Sequence, residues 1–328
     1  MNITSASFDL TYKCNLKCKH CFNSSGDLSP CYHQQVLTHE EKEKILLDIA
    51  KLNVSSICLC GGETLLEFDF IKNVVPKIKK ISPVTSINMV SNGILFDEEK
   101  ARGLKEAGIS LIQFSLDGFT DESYDFVRNS KGKLYKVKQA IKIAVREGFT
   151  VGVAVLPHKK NIDEIEKIID FCEMCNIFEV RFQPFMPIGR GLENKEEITL
   201  SKDEYEYLKE LIDNKEREIR KRGSNFKIEW GDPMDHFFMI QEEEDLPYLN
   251  INAYGEILVS PYLPFVVWNL RNNTLGEYLA SDCLKKMLNL DVLTDTLNEL
   301  TTVDSLSLRE LDLPHVYKEE NVYLYNLI

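Results

Sequence analysis

Apolar and polar positions follow two rhythms along the first 190 residues. Short apolar or β-branched runs fall at Ser7–Leu10, Ser56–Cys60, Thr85–Ser91, Leu111–Leu116, Thr150–Leu156 and Glu179–Pro184. Each is followed by loop residues, and together they predict six strands. Helical patterns lie between them. One opens at Thr38, where Thr38 and Glu41 have capping-box spacing. Others cover Phe68–Ile81, Asp97–Ala107, Tyr135–Glu147 and Ile162–Cys175, with Gly108 and Gly148 as stop signals after two of them. Six strand–helix units in series imply an α/β protein with a parallel sheet, either doubly wound or curled into a barrel. In both designs ligands sit at the C-terminal ends of the strands.

The rhythm changes after Pro184. Pro187, Gly189 and Gly191 mark a loop, and Ser201-Lys-Asp-Glu204 opens a long charged helix reaching Arg222. Phe226–Trp230 reads as a further strand and Asn250–Val259 as a hairpin turning at Gly255. The acidic run Gln241–Asp245 reads as a solvated loop or helix end, and the remainder as mostly helical.

Charge and composition narrow the partners. The net charge of −13 over 328 residues disfavours broad binding to a phosphate backbone. The N-terminal MNITSASFDL lacks the basic and apolar regions of a secretory signal, and no apolar run reaches the length of a membrane span. A cytoplasmic protein is expected. Nine cysteines in such a chain suggest metal binding or buried thiols in preference to a disulfide framework.

Three of those cysteines stand apart. Cys14, Cys18 and Cys21 are spaced C-x3-C-x2-C directly after the first predicted strand. Thiolates bind soft metals. A closed zinc site would need a fourth ligand, from His20 or from a distant residue. A cubane held by three thiolates would leave one iron open to an exogenous ligand. Plain burial is the third reading. On the same predicted edge lie Gly61-Gly62-Glu63, Ser91-Asn92-Gly93 and Ser115-Leu116-Asp117-Gly118. Gly61 and Gly62 allow close backbone approach to a ligand, or form a generic strand-to-helix turn. Glu63 is a candidate acceptor for a charged donor, or a carboxylate favoured by a helix N-terminus. Cys60 precedes Gly61 and shares a strand face with Cys58. Cys172 and Cys175 read as helix packing, and Cys31 and Cys283 are isolated.

The cysteine spacing after the first strand, followed by Gly61-Gly62-Glu63 after the second, resembles the radical S-adenosylmethionine (SAM) superfamily. The likeness extends in order and spacing over nearly all of Ser7 to Pro184. His20 stands where an aromatic residue often precedes the third cysteine, and Cys18-Lys-His-Cys21 is similar to the peptide-modifying branch. The resemblance implies a partial (β/α)6 barrel. It implies one 4Fe–4S cluster on Cys14, Cys18 and Cys21, with SAM on the open iron. Reductive cleavage of SAM would give methionine and a 5′-deoxyadenosyl radical that abstracts hydrogen from substrate. Glu63 would support the SAM ammonium contact. Ser91, Asn92 and Ser115 would cradle SAM, and Arg128 would pair with its carboxylate or form a surface ion pair. Asp117 would border SAM or fix its turn. Val155 and Leu156 would flank the adenine or serve the core, and Gln183 would reach substrate or satisfy backbone. Cys60 would return hydrogen to a substrate radical or be a small buried hydrophobe.

Three later stretches, Phe182–Arg190, Asn252–Pro261 and Trp268–Tyr278, resemble the SPASM/Twitch extension of peptide maturases. Its auxiliary-cluster cysteines are missing: the corresponding stretch reads Ser260-Pro261-Tyr262, and Cys283 alone lies beyond it. The expected organisation is a barrel over residues 1–190 and a degenerate extension over 191–328. The expected function is maturation of a ribosomally made peptide by epimerisation, rearrangement or fragmentation. A small metabolite such as a sugar, nucleoside or antibiotic intermediate is the alternative substrate, and a non-catalytic iron–sulfur or zinc switch the alternative class. Expected partners are a flavodoxin or ferredoxin reductant and, because the chain starts straight into the barrel, a separate leader-peptide-binding protein.

Overall fold

The structure, a computed structural model, describes residues 3–26, 35–231, 238–240, 247–301 and 322–326. Cys31 and the acidic run Gln241–Asp245 lie outside the described residues.

Six strands and their helices follow the expected series: β1 (Ser5–Asp9), α1 (His39–Lys51), β2 (Ser56–Cys60), α2 (Phe68–Ile81), β3 (Ser86–Ser91), α3 (Glu98–Ala107), β4 (Leu111–Ser115), α4 (Asp121–Arg128), α5 (Leu134–Arg146), β5 (Thr150–Val155), α6 (Ile165–Met174) and β6 (Glu179–Phe182). Local chemistry sets many of the ends. The Thr38–Glu41 box closes in both directions, and Gly108 ends α3 at φ 106°, a conformation side chains resist. The first strand begins two residues earlier than the apolar run suggested. Helix α4 was not expected. Its eight residues are too few for a periodic signal, and it is set by a Thr120 N-cap and by Asn129 in the left-handed region.

β1 to β6 pair in parallel and in sequence order. Successive side chains on a strand point to opposite faces. One face carries Phe8, Ile57, Leu59, Ile87, Met89, Phe114 and Val153, all wholly buried. The other carries half-buried Ser7, Cys58, Asn88, Gln113 and Ser115. A parallel sheet usually hides apolar residues on both faces. Here one face is polar because it walls a cavity. That cavity, of about 480 Å3, is lined by Asp9, Cys60, Gln113, Ala154, Arg181 and Asn250 from six different strands. The sheet is therefore curled, and its parallel part is a partial (β/α)6 barrel.

Later strands extend both edges. After a 20-residue helix (Lys202–Lys221), opened by a Ser201–Glu204 capping box, β7 (Lys227–Trp230) pairs in parallel with β6. β8 (Tyr248–Ile251) pairs in parallel with β1 and turns through Gly255, at φ 83°, into antiparallel β9 (Glu256–Leu258). β10 (Phe265–Asn269) and β11 (Val322–Tyr323) complete one 11-stranded sheet. The expected helices are present in the tail, at Leu275–Ala280, Cys283–Leu288 and Asp291–Thr301. The strands beside them carry too short a signal to be read alone. No helix among the described residues is long and apolar enough to cross a membrane.

Candidate active site at the strand C-terminal ends

The cysteine loop leaves β1 and is pinned by hydrogen bonds from four distant segments. The first pin is the Gly61-Gly62 turn. Gly62 N–H donates to Thr11 O at 2.6 Å and Glu63 N–H to Lys13 O at 2.9 Å. A Cβ on Gly61 would stand 2.4 Å from Thr11 O, and one on Gly62 2.3 Å from Lys13 O. The close approach these glycines permit is thus to the cysteine loop itself, while both also line the cavity. The second pin is Arg190, whose guanidinium donates to the carbonyls of Cys18 (2.9 Å), Ser24 (3.0 Å) and Ser25 (2.7 Å). Gly189 before it has no room for a side chain, because a Cβ would lie 2.1 Å from Phe22 O. The third is Lys19 N–H donating to Val127 O at the end of α4, at 2.8 Å. The fourth is Asn92, whose amide donates to Asn15 Oδ1 at 2.7 Å.

Held this way, Cys14, Cys18 and Cys21 all line the cavity. Cys18 is buried, and Arg128 Nη1 reaches its sulfur at 3.7 Å. Burial pushes the Cys18 thiol up to about 11, and the Arg128 guanidinium beside it opposes that shift, favouring the thiolate that binds metal. Among the described residues no three His, Cys, Asp or Glu side chains close on a single ion position. The ligands of a cubane sit on separate irons and need not do so. Three thiols around one cavity, with a cation at the most buried, fit an iron–sulfur cluster with an open corner.

Arg128 is not on the surface. Its Nε pairs with the buried Asp117 carboxylate. Asp117 also accepts Leu156 N–H at 2.8 Å, tying the end of β4 to the end of β5. Burial, the largest single influence, would raise the Asp117 carboxyl, but Arg128 together with His20 and the Leu156 N–H hydrogen bond outweighs it and holds the group below the usual carboxylate range. Burial, with Arg128 nearby, pushes His20 down to about 3, so its imidazole is neutral. It lies 3.8 Å from Asp117 and makes no ion pair there; its Nδ1 is buried without a partner.

Glu63 is buried and its carboxylate does not line the cavity. Oε1 accepts from Leu65 N–H (3.0 Å) and Ser91 Oγ (2.8 Å), and Oε2 from Asn92 N–H (2.8 Å). It caps the turn after β2 and fastens that turn to the loop after β3. Ser91, Asn92, Ser115, Asp117 and Leu156 do line the cavity, as do Val155 and Gln183. Gln183 donates to Tyr262 Oη. Tyr262, from the extension, also packs edge-on against Phe22 of the cysteine loop, with ring centroids 5.7 Å apart. Cys172 and Cys283 are buried in the core, in keeping with packing.

Sequence reasoning missed the Arg190 clamp and the part of the cavity wall built by β1 and β8. There Ser7 Oγ donates to Asn250 Oδ1 at 2.9 Å, and the Asn250 amide nitrogen is buried without a partner. Asp9 stands beside them, its carboxyl pushed up to about 7 by burial, with Tyr12 opposing. The available signal was the alternation of β1: Ser7 and Asp9 break an otherwise apolar run.

The family model described as "Radical SAM superfamily" matches residues 9–172. The chain belongs to this superfamily. Radical SAM proteins use a 4Fe–4S cluster and SAM, the pair for which the cysteine loop and its neighbours are suited. The chain is 32% identical over 195 residues to GTP 3′,8-cyclase of Syntrophomonas wolfei, covering 57% of each chain. It is 28% identical over 231 residues to the sporulation killing factor maturation protein SkfB of Bacillus subtilis, covering 70% of this chain and 51% of that one. It therefore spans just over half the length of these relatives. SuiB of Streptococcus suis, solved bound to precursor peptide SuiA, superposes with a TM-score of 0.69 over 95% of this chain and 75% of that one. At 15% identity this is a likeness of fold.

Proposed function

We propose that this protein is a radical SAM enzyme that matures a ribosomally made peptide. The observation that carries the enzymatic reading is the cavity: three pinned thiols on one wall and polar side chains of six strands around it. Cys14, Cys18 and Cys21 would hold the 4Fe–4S cluster, and bound SAM would supply the hydrogen-abstracting 5′-deoxyadenosyl radical. Arg128, paired with Asp117, would set its guanidinium beside the Cys18 ligand of the cluster. Asn92 and Ser115 offer polar contacts to SAM, Asp117 sets their spacing through Arg128 and Leu156, and Val155–Leu156 give an apolar surface for its adenine. Glu63 positions Ser91 and Asn92 through its three hydrogen bonds.

The peptide reading draws support from the fold likeness that runs through the extension, and from the maturase SkfB among the relatives. Extension residues Asn250, Tyr262 and Pro261 wall the cavity, so the substrate meets a surface that the barrel alone lacks. A flavodoxin- or ferredoxin-type partner would supply the electron, and a separate protein would present the leader. The test is anaerobic incubation of the reconstituted protein with SAM and candidate precursor peptides, read by mass spectrometry, with GTP in parallel because of the cyclase relatives. A peptide mass or stereochemical change dependent on SAM is expected. Conversion of GTP with unchanged peptides would replace the peptide reading with a nucleotide one.

A further inference from the structure

Two thiols outside the cysteine loop stand on the strand face that walls the cavity, and one of them, Cys60, lines it. Cys58 and Cys60 are two residues apart on β2, so their side chains share its concave face. Their sulfurs lie 3.3 Å apart, with Cys60 S–H directed at Cys58. Ile57 and Leu59 take the core-packing face of this strand and are wholly buried; the two cysteines stand on the half-buried face. Small-hydrophobe packing thus does not account for them. Cys60 lines the cavity directly before the Gly61-Gly62 turn beneath the cysteine loop. Across the sheet, Asp9 is the register partner of Cys60, and Ser7 that of Cys58. The hydrogen bond to Cys58, with burial, raises the Cys60 thiol well above its ordinary range, so it stays protonated.

We propose that Cys60 gives its thiol hydrogen atom to a carbon radical in the cavity, and that Cys58 then captures the sulfur radical as a disulfide. This rests on the radical SAM reading above. The S–H bond of Cys60 breaks homolytically, a C–H bond forms, and the unpaired electron stays on sulfur. That sulfur bonds to Cys58 as the Cys58 thiol releases its proton to solvent in the cavity, leaving a disulfide radical anion. The anion gives one electron to the oxidised form of the low-potential one-electron carrier that drives SAM cleavage, and a neutral disulfide remains. A small dithiol then returns two electrons and two protons and restores both thiols. The hydrogen delivered comes from an exchangeable site, so the products are those of hydrogen return, such as an inverted stereocentre.

Two experiments test this. In the first, reconstituted protein is given SAM and a limiting reduced viologen in D2O, where thiols carry deuterium. Wild-type 5′-deoxyadenosine should contain solvent deuterium, and alkylation with mass spectrometry should find the Cys58–Cys60 peptide two hydrogens lighter. In Cys60→Ala the deuterated fraction of the deoxyadenosine formed should drop at least fivefold. In Cys58→Ala the label should remain while the disulfide disappears. A label undiminished in Cys60→Ala overturns the proposal. In the second, protein without SAM is equilibrated with mixtures of oxidised and reduced dithiothreitol and then alkylated. Cys58 and Cys60 should close together as one two-electron couple, and free thiols at every ratio would overturn the pairing. Absence of deoxyadenosine from the wild type would count against the radical SAM reading, whereas the dithiothreitol titration judges the thiol pair without it.

Discussion

The cysteine loop and the C-terminal extension build adjoining parts of one cavity wall by different means. The loop carries its chemistry in four spaced residues, Cys14, Cys18, Cys21 and His20, and its shape is imposed from outside by Gly61-Gly62, Arg190, Val127 and Asn92. The extension places no cysteine of its own on the cavity wall; its single thiol, Cys283, is buried with its sulfur 3.6 Å from Val267 O. What it contributes is form: β8 continues the sheet beside β1, and Asn250 and Tyr262 close the wall. On the proposed function, reactivity lies in the loop and substrate shape in the extension, and mutation should separate the two.

The largest expected effect is on the loop side. Replacing Cys14, Cys18 and Cys21 together by Ala should abolish both iron–sulfur absorbance and deoxyadenosine formation, since the cluster loses its thiolates. Full iron content in that variant would break the assignment. Next in size is Gly62→Ala, whose Cβ would stand 2.3 Å from Lys13 O. The strain should cost roughly 1–3 kcal/mol, read as a lowered melting temperature together with poor iron uptake. Normal iron loading would show that the turn does not shape the loop. Arg190→Ala removes three hydrogen bonds from a charged donor and should cost about 1.5–3 kcal/mol, with Arg190→Lys recovering only part because Lys lacks the planar fork.

On the extension side the effects should be smaller and leave the iron alone. Asn250→Ala should weaken substrate binding by about fivefold to tenfold, the loss of one ordinary hydrogen bond, with unchanged cluster absorbance. A fall in iron content would show that the two regions are not separable. Iron analysis sharpens the same contrast: about four irons per chain are expected, the content of one cubane, and roughly eight would restore an auxiliary cluster to the extension.

A further effect is on stability alone, as a pH dependence. Asp9 keeps its proton in the folded state up to about pH 7, whereas its ordinary value is 3.8. Between these values the folded state binds a proton that the unfolded state has released, so stability should fall as pH rises through the window and level off above it. Melting temperatures across pH 4–8 for wild type and Asp9→Asn check this. A slope that survives the substitution would assign it to another group.

The chain by itself determined the order of the elements and the chemical identity of the site. Both rest on signals local in sequence: the alternation that marks each strand, the Thr38–Glu41 and Ser201–Glu204 caps, and three cysteines within eight residues. Tertiary structure decided what each residue touches. Glu63 reads as a ligand for a cofactor amine, yet its carboxylate is occupied by Leu65, Ser91 and Asn92. Arg128 reads as equally suited to a surface pair, yet α4 buries it between Asp117 and Cys18. Arg190 and Asn250, 172 positions beyond Cys18 and 243 beyond Ser7, carry no signal of their own. Their roles come from the curl of the sheet, which brings strand ends together across one cavity. Spacing along the chain encodes helix turns and strand faces, because those are set by bonds between near neighbours. The convergence of distant side chains depends on how every strand pairs and twists with the next, and that sum is settled only in the folded protein.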